Sequence, residues 1–346
     1  MSRCGLLYDP VFLKHITGTG HPEQPKRASH AYDAIVQARL DQKILPLTCS
    51  PCKMEHLERV HTGQYLAQAQ KDIGKGLAQL STGDTSVCKE SWEVALRATG
   101  GMVEATSQIF SGSIDRAFCL SRPPGHHATP ARGMGFCIFN HAAIAARYAQ
   151  AVHGVGKVLI VDWDVHHGNG TQDVFYKDES VYFFSTHQSP WYPGTGSREE
   201  TGAGKGLGYN RNHPLPAGAG QAEIVENAFA DDLAHRMDRY RPELVIISAG
   251  FDSKLGDPLG QFQLTDEDFS ELTRVVRSIA DEYSNGRVLS ILEGGYHLEG
   301  LSQACVAHLK ALIKRRGSLV RSLSVQCADR AHPCGNFSIQ FHHPGK

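Results

Sequence analysis

Hydrophobic residues along the chain alternate between short β-branched runs and longer stretches with a helical period. The short runs predict strands at 116–121, 157–164, 180–186, 243–249 and 287–292. The periodic stretches predict helices at 92–110, 140–153, 222–240 and 266–283. Strands that are apolar on both faces and separated by helices indicate a mostly parallel central sheet with helices on both faces. We therefore predict an α/β fold in a single domain.

Two segments depart from this alternation. The stretch 189–220 is rich in Gly, Pro, Tyr and Asn and predicts a long loop, which in a compact domain usually serves a function. Beyond about residue 315 the hydrophobic period is lost. We therefore expect one domain at 1–315 and a poorly ordered C-terminal tail at 316–346.

Composition narrows the class of protein. The 346 residues include 35 Lys and Arg against 36 Asp and Glu, so no basic excess points to direct nucleic-acid binding. The hydrophobic runs are too short to span a bilayer, and the first residues lack the apolar stretch of a secretory signal. Nine cysteines without disulfide-scaffold spacing favour a reducing compartment. We expect a cytoplasmic protein with no membrane partner; oligomerisation stays open.

Polar motifs follow four of the predicted strands. In chain order they are RPPGHH, DWDVHHGNG, SAGFDS and EGGY. Ligand sites in open parallel sheets form at the carboxyl ends of the strands. We therefore expect all four motifs to meet at one edge of the sheet.

The second motif carries metal-ligand residue types. Asp162, Asp164 and His166 follow a period of two, so an extended strand would direct all three side chains to one face. Two carboxylates and an imidazole with no Lys or Arg nearby favour a divalent metal over a salt bridge, and Asp252 offers another carboxylate. A bound Zn²⁺ lowers the pKa of its water to about 7. His167 has no clear chemical role, and we expect it to pack and hydrogen-bond locally.

Three further side chains complete a candidate hydrolytic site. His126 and His127 are candidates for general base and acid, because imidazole titrates nearest to working pH. Tyr296 follows two glycines and offers a phenol that can donate a hydrogen bond to a developing oxyanion. With a metal, these groups predict hydrolysis of an amide or an ester.

Six motifs in order resemble those of the zinc-dependent histone deacetylase superfamily over about residues 1–312. They are HPEQPKR (21–27), RPPGHHA (122–128), GFCIFN (135–140), DWDVHHGNGTQ (162–172), SAGFDS (248–253) and LEGGYH (292–297). The superfamily also contains acetylpolyamine amidohydrolases and bacterial deacetylase-like amidohydrolases, and these motifs are closer to its class II branch. The resemblance implies an arginase/deacetylase-like fold and removal of acetyl groups from the ε-amino group of lysine in proteins or peptides.

The resemblance also implies two cation sites. One Zn²⁺ per chain would be held by Asp164, His166 and Asp252. A K⁺ would be held by the backbone of Asp162, Asp164 and His166, together with Ser185 and Thr186.

By the same resemblance, His127 is the general base and His126 supports it electrostatically. Asp162 would orient His126, and Asn169 would orient His127. Class I members carry Asp at the second position, so a neutral Asn should leave the base less basic. Tyr296 matches the tyrosine that binds the oxyanion.

Substrate contacts follow from the same motifs. Phe136 and Tyr192 match the two aromatic residues of the acyl-lysine tunnel, the second of which is usually Phe. Further implied contacts are Gly135 and Gly294 along the tunnel, Asp84 at its rim, and Arg27 beside an internal acetate cavity.

Leu259 bears on the choice of substrate. Polyamine-preferring relatives carry a glutamate seven residues after the third zinc ligand, where this chain has Leu259. A neutral side chain favours an acetylated lysine peptide or protein over an acetylated small amine.

Three alternatives stay open. One is an acetylpolyamine or other small acyl-amide deacetylase, and another is a catalytically weak acyl-lysine-binding scaffold. A ureohydrolase of the arginase type shares the fold, but it uses a manganese pair, whereas this chain has one compact ligand set.

Overall fold

A parallel sheet of eight strands forms the centre of the computed structural model, which describes residues 3–314. The strands are β1 Cys4–Leu7, β2 Leu45–Leu47, β3 Arg116–Cys119, β4 Val158–Asp162, β5 Val181–Gln188, β6 Asn210–Leu215, β7 Leu244–Ala249 and β8 Val288–Leu292. Their order is β2-β1-β3-β8-β7-β4-β5-β6, and every neighbouring pair is parallel. The predicted α/β class is confirmed. The predicted tail at 316–346 lies outside the described residues, and the domain limits stay a prediction.

Helices cover both faces of this sheet. They are α1 Lys26–Gln37, α2 Met54–Leu57, α3 Gly63–Gly74, α4 Ser91–Phe110, α5 His141–His153, α6 Asn169–Phe175, α7 Ala234–Tyr240, α8 Asp266–Tyr283 and α9 Leu298–Leu312, with a π-helix at Gln221–Leu233 leading into α7. None of these described helices is both long and apolar enough to cross a membrane.

The strands alternate their side chains between two hydrophobic cores. In β4, Leu159 and Val161 pack with residues of α1, α8 and α9, whereas Val158 and Ile160 pack with residues of α3, α4 and α5. A central strand with apolar residues on both faces produces this arrangement, because successive side chains point to opposite sides. The continuous apolar runs in the sequence thus correspond to strands buried on both faces.

One predicted loop contains a strand. Within 189–220, β6 pairs with β5 at the edge of the sheet, with Asn210 opposite Phe183. The sequence of β6, NRNHPL, is polar and includes Pro214, so it lacks the hydrophobic pattern of the central strands. Proline is tolerated in edge strands because the ladder there needs fewer amide donors. The short strands β1 and β2 were also not predicted from the sequence.

The end of β4 corrects a second expectation. The strand stops at Asp162, and the chain bends through Asp164 and His166 instead of remaining extended. Asp162 Oδ1 accepts a hydrogen bond from the amide of Asp164 at 3.1 Å, and Asp164 Oδ1 accepts one from the amide of His166 at 2.9 Å. Aspartates favour such turns two residues onward over a sheet ladder. The ligand-type side chains therefore converge through a bend.

A buried ion network joins three motifs behind the carboxyl edge. Glu23 accepts hydrogen bonds from Arg122 Nη2 at 2.7 Å and from Arg27 Nη1 at 3.1 Å. Arg27 Nε in turn donates to the carbonyl of Gly295 at 2.6 Å. Burial alone would raise the pKa of Glu23, but Arg122 outweighs it and lowers that pKa to about 2. The network fixes the start of α1 against the loops that follow β3 and β8.

Replacing Glu23→Gln should lower the free energy of unfolding by about 3–5 kcal/mol, because two guanidinium groups lose their buried counter-charge. Denaturant unfolding monitored by circular dichroism measures the change. Glu93→Gln is the matched control, since Glu93 pairs with Arg97 on the surface of α4 and should change stability by less than about 1 kcal/mol. Equal stabilities of the two variants would contradict this assignment.

Candidate active site

The carboxyl ends of β3, β8, β7 and β4 lie side by side, because these strands are consecutive in the sheet. Each strand is followed by one of the four polar motifs. The expected meeting of the motifs at one edge is therefore confirmed.

Asp164, His166 and Asp252 form a buried triad whose ligand atoms all lie within 4.8 Å of one another. His166 Nδ1 is 2.9 Å from Asp164 Oδ1 and 3.2 Å from Asp252 Oδ2. Asp252 Oδ2 is buried and accepts no hydrogen bond of normal geometry. Burial and the charge of Asp164 raise the pKa of Asp252 to about 7. Two facing carboxylates and an imidazole therefore fit a divalent metal ion.

Backbone amides orient the two carboxylates of this triad. The amide of Val165 donates to Asp252 Oδ1 at 2.9 Å, and the amide of Gly294 donates to Asp164 Oδ2 at 2.8 Å. A Cβ atom at position 294 would lie 1.9 Å from Asp252 Oδ2, so only glycine fits there. Gly294, predicted as a substrate contact, thus lies against the metal-ligand triad.

His126 and His127 lie next to the triad with their ring centroids 4.0 Å apart. His126 Nδ1 is 2.9 Å from Asp162 Oδ2, and His127 Nδ1 is 2.8 Å from Asn169 Oδ1. An amide oxygen can only accept, so His127 carries its hydrogen on Nδ1 and keeps a lone pair on Nε2. Both orienting contacts implied by the sequence are present.

The two histidines differ in charge. Burial alone would lower the pKa of His126, but the carboxylates of Asp162 and Asp164 outweigh it and raise that pKa to about 10. Burial lowers the pKa of His127 well below its usual value, and the positive charge of His126 lowers it further. At neutral pH the pair therefore consists of an imidazolium at His126 and a neutral imidazole at His127.

Glu293, which the sequence analysis did not single out, holds the loop that carries these histidines. Its fully buried carboxylate accepts hydrogen bonds from the amides of Gly125 at 2.6 Å and His126 at 3.1 Å. The hydroxyl of Ser248 donates to its other oxygen at 2.9 Å. The sequence could have identified Glu293, because it lies within the LEGGYH motif.

A cavity of about 240 Å³ opens above the triad, with His127, His166 and Tyr296 in its wall. Five of the six predicted substrate-binding residues also line it, namely Asp84, Gly135, Phe136, Tyr192 and Leu259. The exception is Gly294. The described chain therefore brings the predicted tunnel and the predicted catalytic groups together.

A strained turn forms one wall of this cavity. Gly135 and Phe136 have φ angles of +56° and +67°. A Cβ atom at position 135 would lie 2.3 Å from the ring of His127, which explains the glycine. Phe136 adopts the left-handed conformation at a cost of about 1–2 kcal/mol. The turn packs the ring of Phe136 edge-on against Tyr296, with centroids 6.0 Å apart.

The opposite wall depends on a hydroxyl group at the rim. Tyr192 Oη donates to Asp84 Oδ1 at 3.3 Å, and the amide of Gly135 donates to the same oxygen at 2.6 Å. Burial and the charge of Asp84 raise the pKa of Tyr192, so its hydroxyl stays protonated as a donor. Tyr192 therefore holds the carboxylate of Asp84 in place at the rim. Members of the family that the sequence resembles usually carry phenylalanine at this position, which has no hydroxyl to do so.

Trp191 is a lining residue that the sequence analysis missed. Its indole Nε1 donates to the carbonyl of Leu259 at 2.8 Å, and its side chain is partly exposed at the mouth of the cavity. It lies in the stretch 189–220, which the sequence analysis expected to be functional. Its position next to Tyr192, a predicted tunnel residue, could have identified Trp191 from the sequence.

His167 has the local role expected for it. Its Nδ1 lies 2.8 Å from the Thr195 hydroxyl, and its Nε2 lies 3.1 Å from the Gln172 side-chain oxygen. These contacts connect the loop after β5 to α6. His167 therefore supports the loop that carries Trp191 and Tyr192.

Similarity to known proteins decides the family. The family model for the histone deacetylase domain matches residues 21–312. The chain belongs to the histone deacetylase family. This deacetylase is 35% identical to an Archaeoglobus fulgidus protein named "Probable deacetylase", over 86% of this chain and 82% of the relative. It is 37% identical to human polyamine deacetylase HDAC10, over 84% of this chain but 44% of that longer protein.

A solved structure supports the same assignment. The crystal structure of the HDA15 HD domain matches this deacetylase with a TM-score of 0.84 and 35% identity, covering 90% of this chain and 88% of that one. The predicted deacetylase-like α/β fold is confirmed. The protein is a deacetylase, a hydrolase that acts on amide bonds.

Giving His127 a charged partner should change the pH dependence of this deacetylase. In an Asn169→Asp variant, the new carboxylate should raise the pKa of His127 by about one unit or more. His127, the predicted general base, would act only when unprotonated, so the acidic limb of kcat/KM should move to higher pH. A pH–rate profile on an acetylated peptide measures the shift. Asn169→Ala, which removes the acceptor without adding charge, should lower kcat/KM without that upward movement.

Proposed function

We propose that this deacetylase is a zinc-dependent amidohydrolase that removes acetyl groups from the ε-amino group of lysine in proteins or peptides. One observation carries the proposal: the buried ligand triad lies beside the histidine pair at the base of a narrow, aromatic-walled cavity. An extended acyl-lysine side chain fits such a cavity, because the walls contact its methylene groups while its amide reaches the polar base.

The triad of Asp164, His166 and Asp252 would hold one zinc ion. Zinc bound there supplies Lewis acidity, which makes water easier to deprotonate and an amide carbonyl easier to attack. Asp252 Oδ2, which accepts no hydrogen bond of normal geometry, and the mutual repulsion of the carboxylates support a divalent cation at this position. The same donor set accepts other divalent ions, so metal content of the purified protein belongs among the first measurements.

The side chains around the triad then divide the proton transfers. Neutral His127 accepts a proton from the attacking water through Nε2. Burial raises the pKa of Tyr296 well above its usual range, so its hydroxyl donates a hydrogen bond to the carbonyl oxygen as negative charge develops. The imidazolium of His126, held by Asp162, stabilises that charge. His127 returns its proton to the amine nitrogen as the C–N bond breaks.

We also propose a K⁺ site behind the triad, formed by the backbone of Asp162, Asp164 and His166 with Ser185 and Thr186. The register of β4 and β5 pairs Asp162 with Ser185. The hydroxyl of Thr186 is buried without a hydrogen-bond partner among residues 3–314. A buried oxygen without a donor favours a bound cation.

The preference for lysine over a polyamine rests on the mouth of the cavity. Leu259 is partly buried in the cavity wall and offers no charge to a second substrate ammonium. An acetylpolyamine or another small acyl-amide is the second candidate substrate, because a relative is named a polyamine deacetylase. A catalytically weak acyl-lysine-binding scaffold is disfavoured because the proposed base His127 and the proposed oxyanion donor Tyr296 both line the cavity.

A cytoplasmic location is part of the proposal. The seven cysteines in the described part of the chain are all free thiols. Burial raises the pKa of Cys49 to about 11 and that of Cys52 to about 12, so neither of these thiols is a reactive thiolate. Free cysteines are typical of proteins in reducing compartments.

Removing one hydroxyl group tests the oxyanion assignment. Tyr296→Phe should lower kcat on an acetyl-lysine peptide by about 10²–10³-fold, because the developing charge loses a preorganised donor. Metal content, measured by mass spectrometry, should stay unchanged. Tyr283→Phe, at a partly buried tyrosine whose hydroxyl bonds Asp238, is the matched control and should leave turnover unaffected. Full activity of the Tyr296 variant would contradict the assignment.

The substrate proposal is tested at position 259. The wild-type protein should show a higher kcat/KM on acetyl-lysine peptides than on N-acetylspermidine. Leu259→Glu should raise the ratio of spermidine to peptide kcat/KM by about tenfold, equivalent to about 1.4 kcal/mol, through attraction of the free ammonium. Leu259→Gln is the isosteric control and should not. A wild-type preference for acetylspermidine would overturn the lysine assignment while leaving the deacetylase chemistry intact.

A further inference from the structure

A second cavity, of about 530 Å³, lies at the opposite edge of the sheet from the active site. Its walls include Lys157, which directly precedes β4, Tyr182 near the start of β5, and Tyr209, which directly precedes β6. These positions are amino ends of parallel strands, whereas the catalytic groups follow the carboxyl ends. We call this space the amino-edge cavity.

The amino-edge cavity is positively charged. Lys157, Arg236 and Arg239 line it, and no described lining residue is acidic. Arg236 donates to Asp232 at 2.8 Å, but Asp232 is shared with Arg211 at the same distance, so this one carboxylate faces two guanidinium groups. The positive charge is local, because the whole chain has a formal net charge of -1.

Two of these cations have no acidic partner. Within the described residues, neither Lys157 nor Arg239 forms an ion pair; Lys157 only lies over the ring of Tyr240, 5.4 Å from its centroid. Both are exposed at the cavity. Their donors are therefore available to a bound anion.

The inner wall contains an unsatisfied hydroxyl. Tyr182 is 4% exposed, and its buried hydroxyl makes no hydrogen bond of normal geometry within residues 3–314. The guanidinium of Arg236 lies close enough to donate to the hydroxyl oxygen, so it is the hydroxyl hydrogen that lacks an acceptor. The hydroxyl of Tyr240, on the same wall, is satisfied by the carbonyl of Val158 at 3.2 Å. A buried hydroxyl hydrogen without an acceptor is destabilising, and an acceptor oxygen from a ligand would remove that penalty.

We propose that the amino-edge cavity binds a small organic phosphate monoester. A phosphate monoester carries nearly two negative charges at neutral pH and offers three acceptor oxygens. The cations match that charge, arginine matches the geometry of phosphate oxygens, and Tyr182 supplies an inner donor. Leu207, 63% exposed, and Tyr209 form an apolar wall for the organic part. This site does not depend on the proposed deacetylase substrate.

Calorimetric titration of the full-length protein tests the proposal, with adenosine 5′-monophosphate, inorganic phosphate and adenosine as probes. The monophosphate should bind most tightly, inorganic phosphate more weakly, and adenosine not detectably. Binding should weaken as salt is raised, since exposed charges are screened. Adenosine binding as tightly as its monophosphate, or no binding of either phosphate probe at millimolar concentration, would overturn the proposal.

Variants locate the binding. The double variant Lys157→Gln, Arg239→Gln should weaken monophosphate binding at least tenfold, and the control pair Arg59→Gln, Lys71→Gln, also exposed, should not. Tyr182→Phe keeps the ring and should weaken phosphate binding several-fold, because the anion loses its inner donor. The melting temperature without ligand verifies folding of each variant. Unchanged affinity in the double variant would place the anion elsewhere, including at the metal-ligand triad, and would refute the site.

Discussion

Repulsion among buried carboxylates is the constraint on which the site depends. Four fully buried acids meet at the carboxyl edge of the sheet: Asp162, Asp164, Asp252 and Glu293. Acids this close cannot all ionise unless cations and amide donors offset their charge. Each acid therefore has an assigned partner, either a histidine, a pair of backbone amides or the place for a divalent ion. The same charges hold His126 as a cation, so the metal-ligand region and the histidine pair form one electrostatic unit.

The backbone around the carboxylates and the histidine pair has to approach them closely. Glycines at positions 135 and 294 allow the chain to approach the histidine ring and the carboxylates more closely than any side chain would permit. Behind them, Arg27 spans from Glu23 to the carbonyl of Gly295 and lies over the ring of Tyr296, 4.8 Å from its centroid. The arginine thus connects the helix α1 to the tyrosine proposed to bind the oxyanion. The stability of the fold and the proposed role of Tyr296 therefore involve the same arginine.

The sequence predicted where the four polar motifs meet better than it predicted the edges of the sheet. The central strands are buried on both faces, so their hydrophobic runs were visible, and the motifs that follow them meet as parallel topology requires. The edge strand β6 is polar and contains Pro214, so no hydrophobic pattern marked it. The bend after Asp162 depends on side-chain hydrogen bonds to the backbone, which a period of two cannot reveal. Glu293 and Trp191 act through contacts with residues distant in sequence.

Net charge was the least informative property of the sequence, because opposite charges are separated along the sheet. Buried acids concentrate where the strands end, and cations without acidic partners line the cavity where β4, β5 and β6 begin. A formal charge of -1 averages over both. The lack of a basic excess in the composition argues against an extended basic surface that would bind nucleic acid. It does not exclude a small local group of cations. A small anion needs only a few cations, brought together by strand starts that lie far apart in the chain, and only the fold reveals such a group.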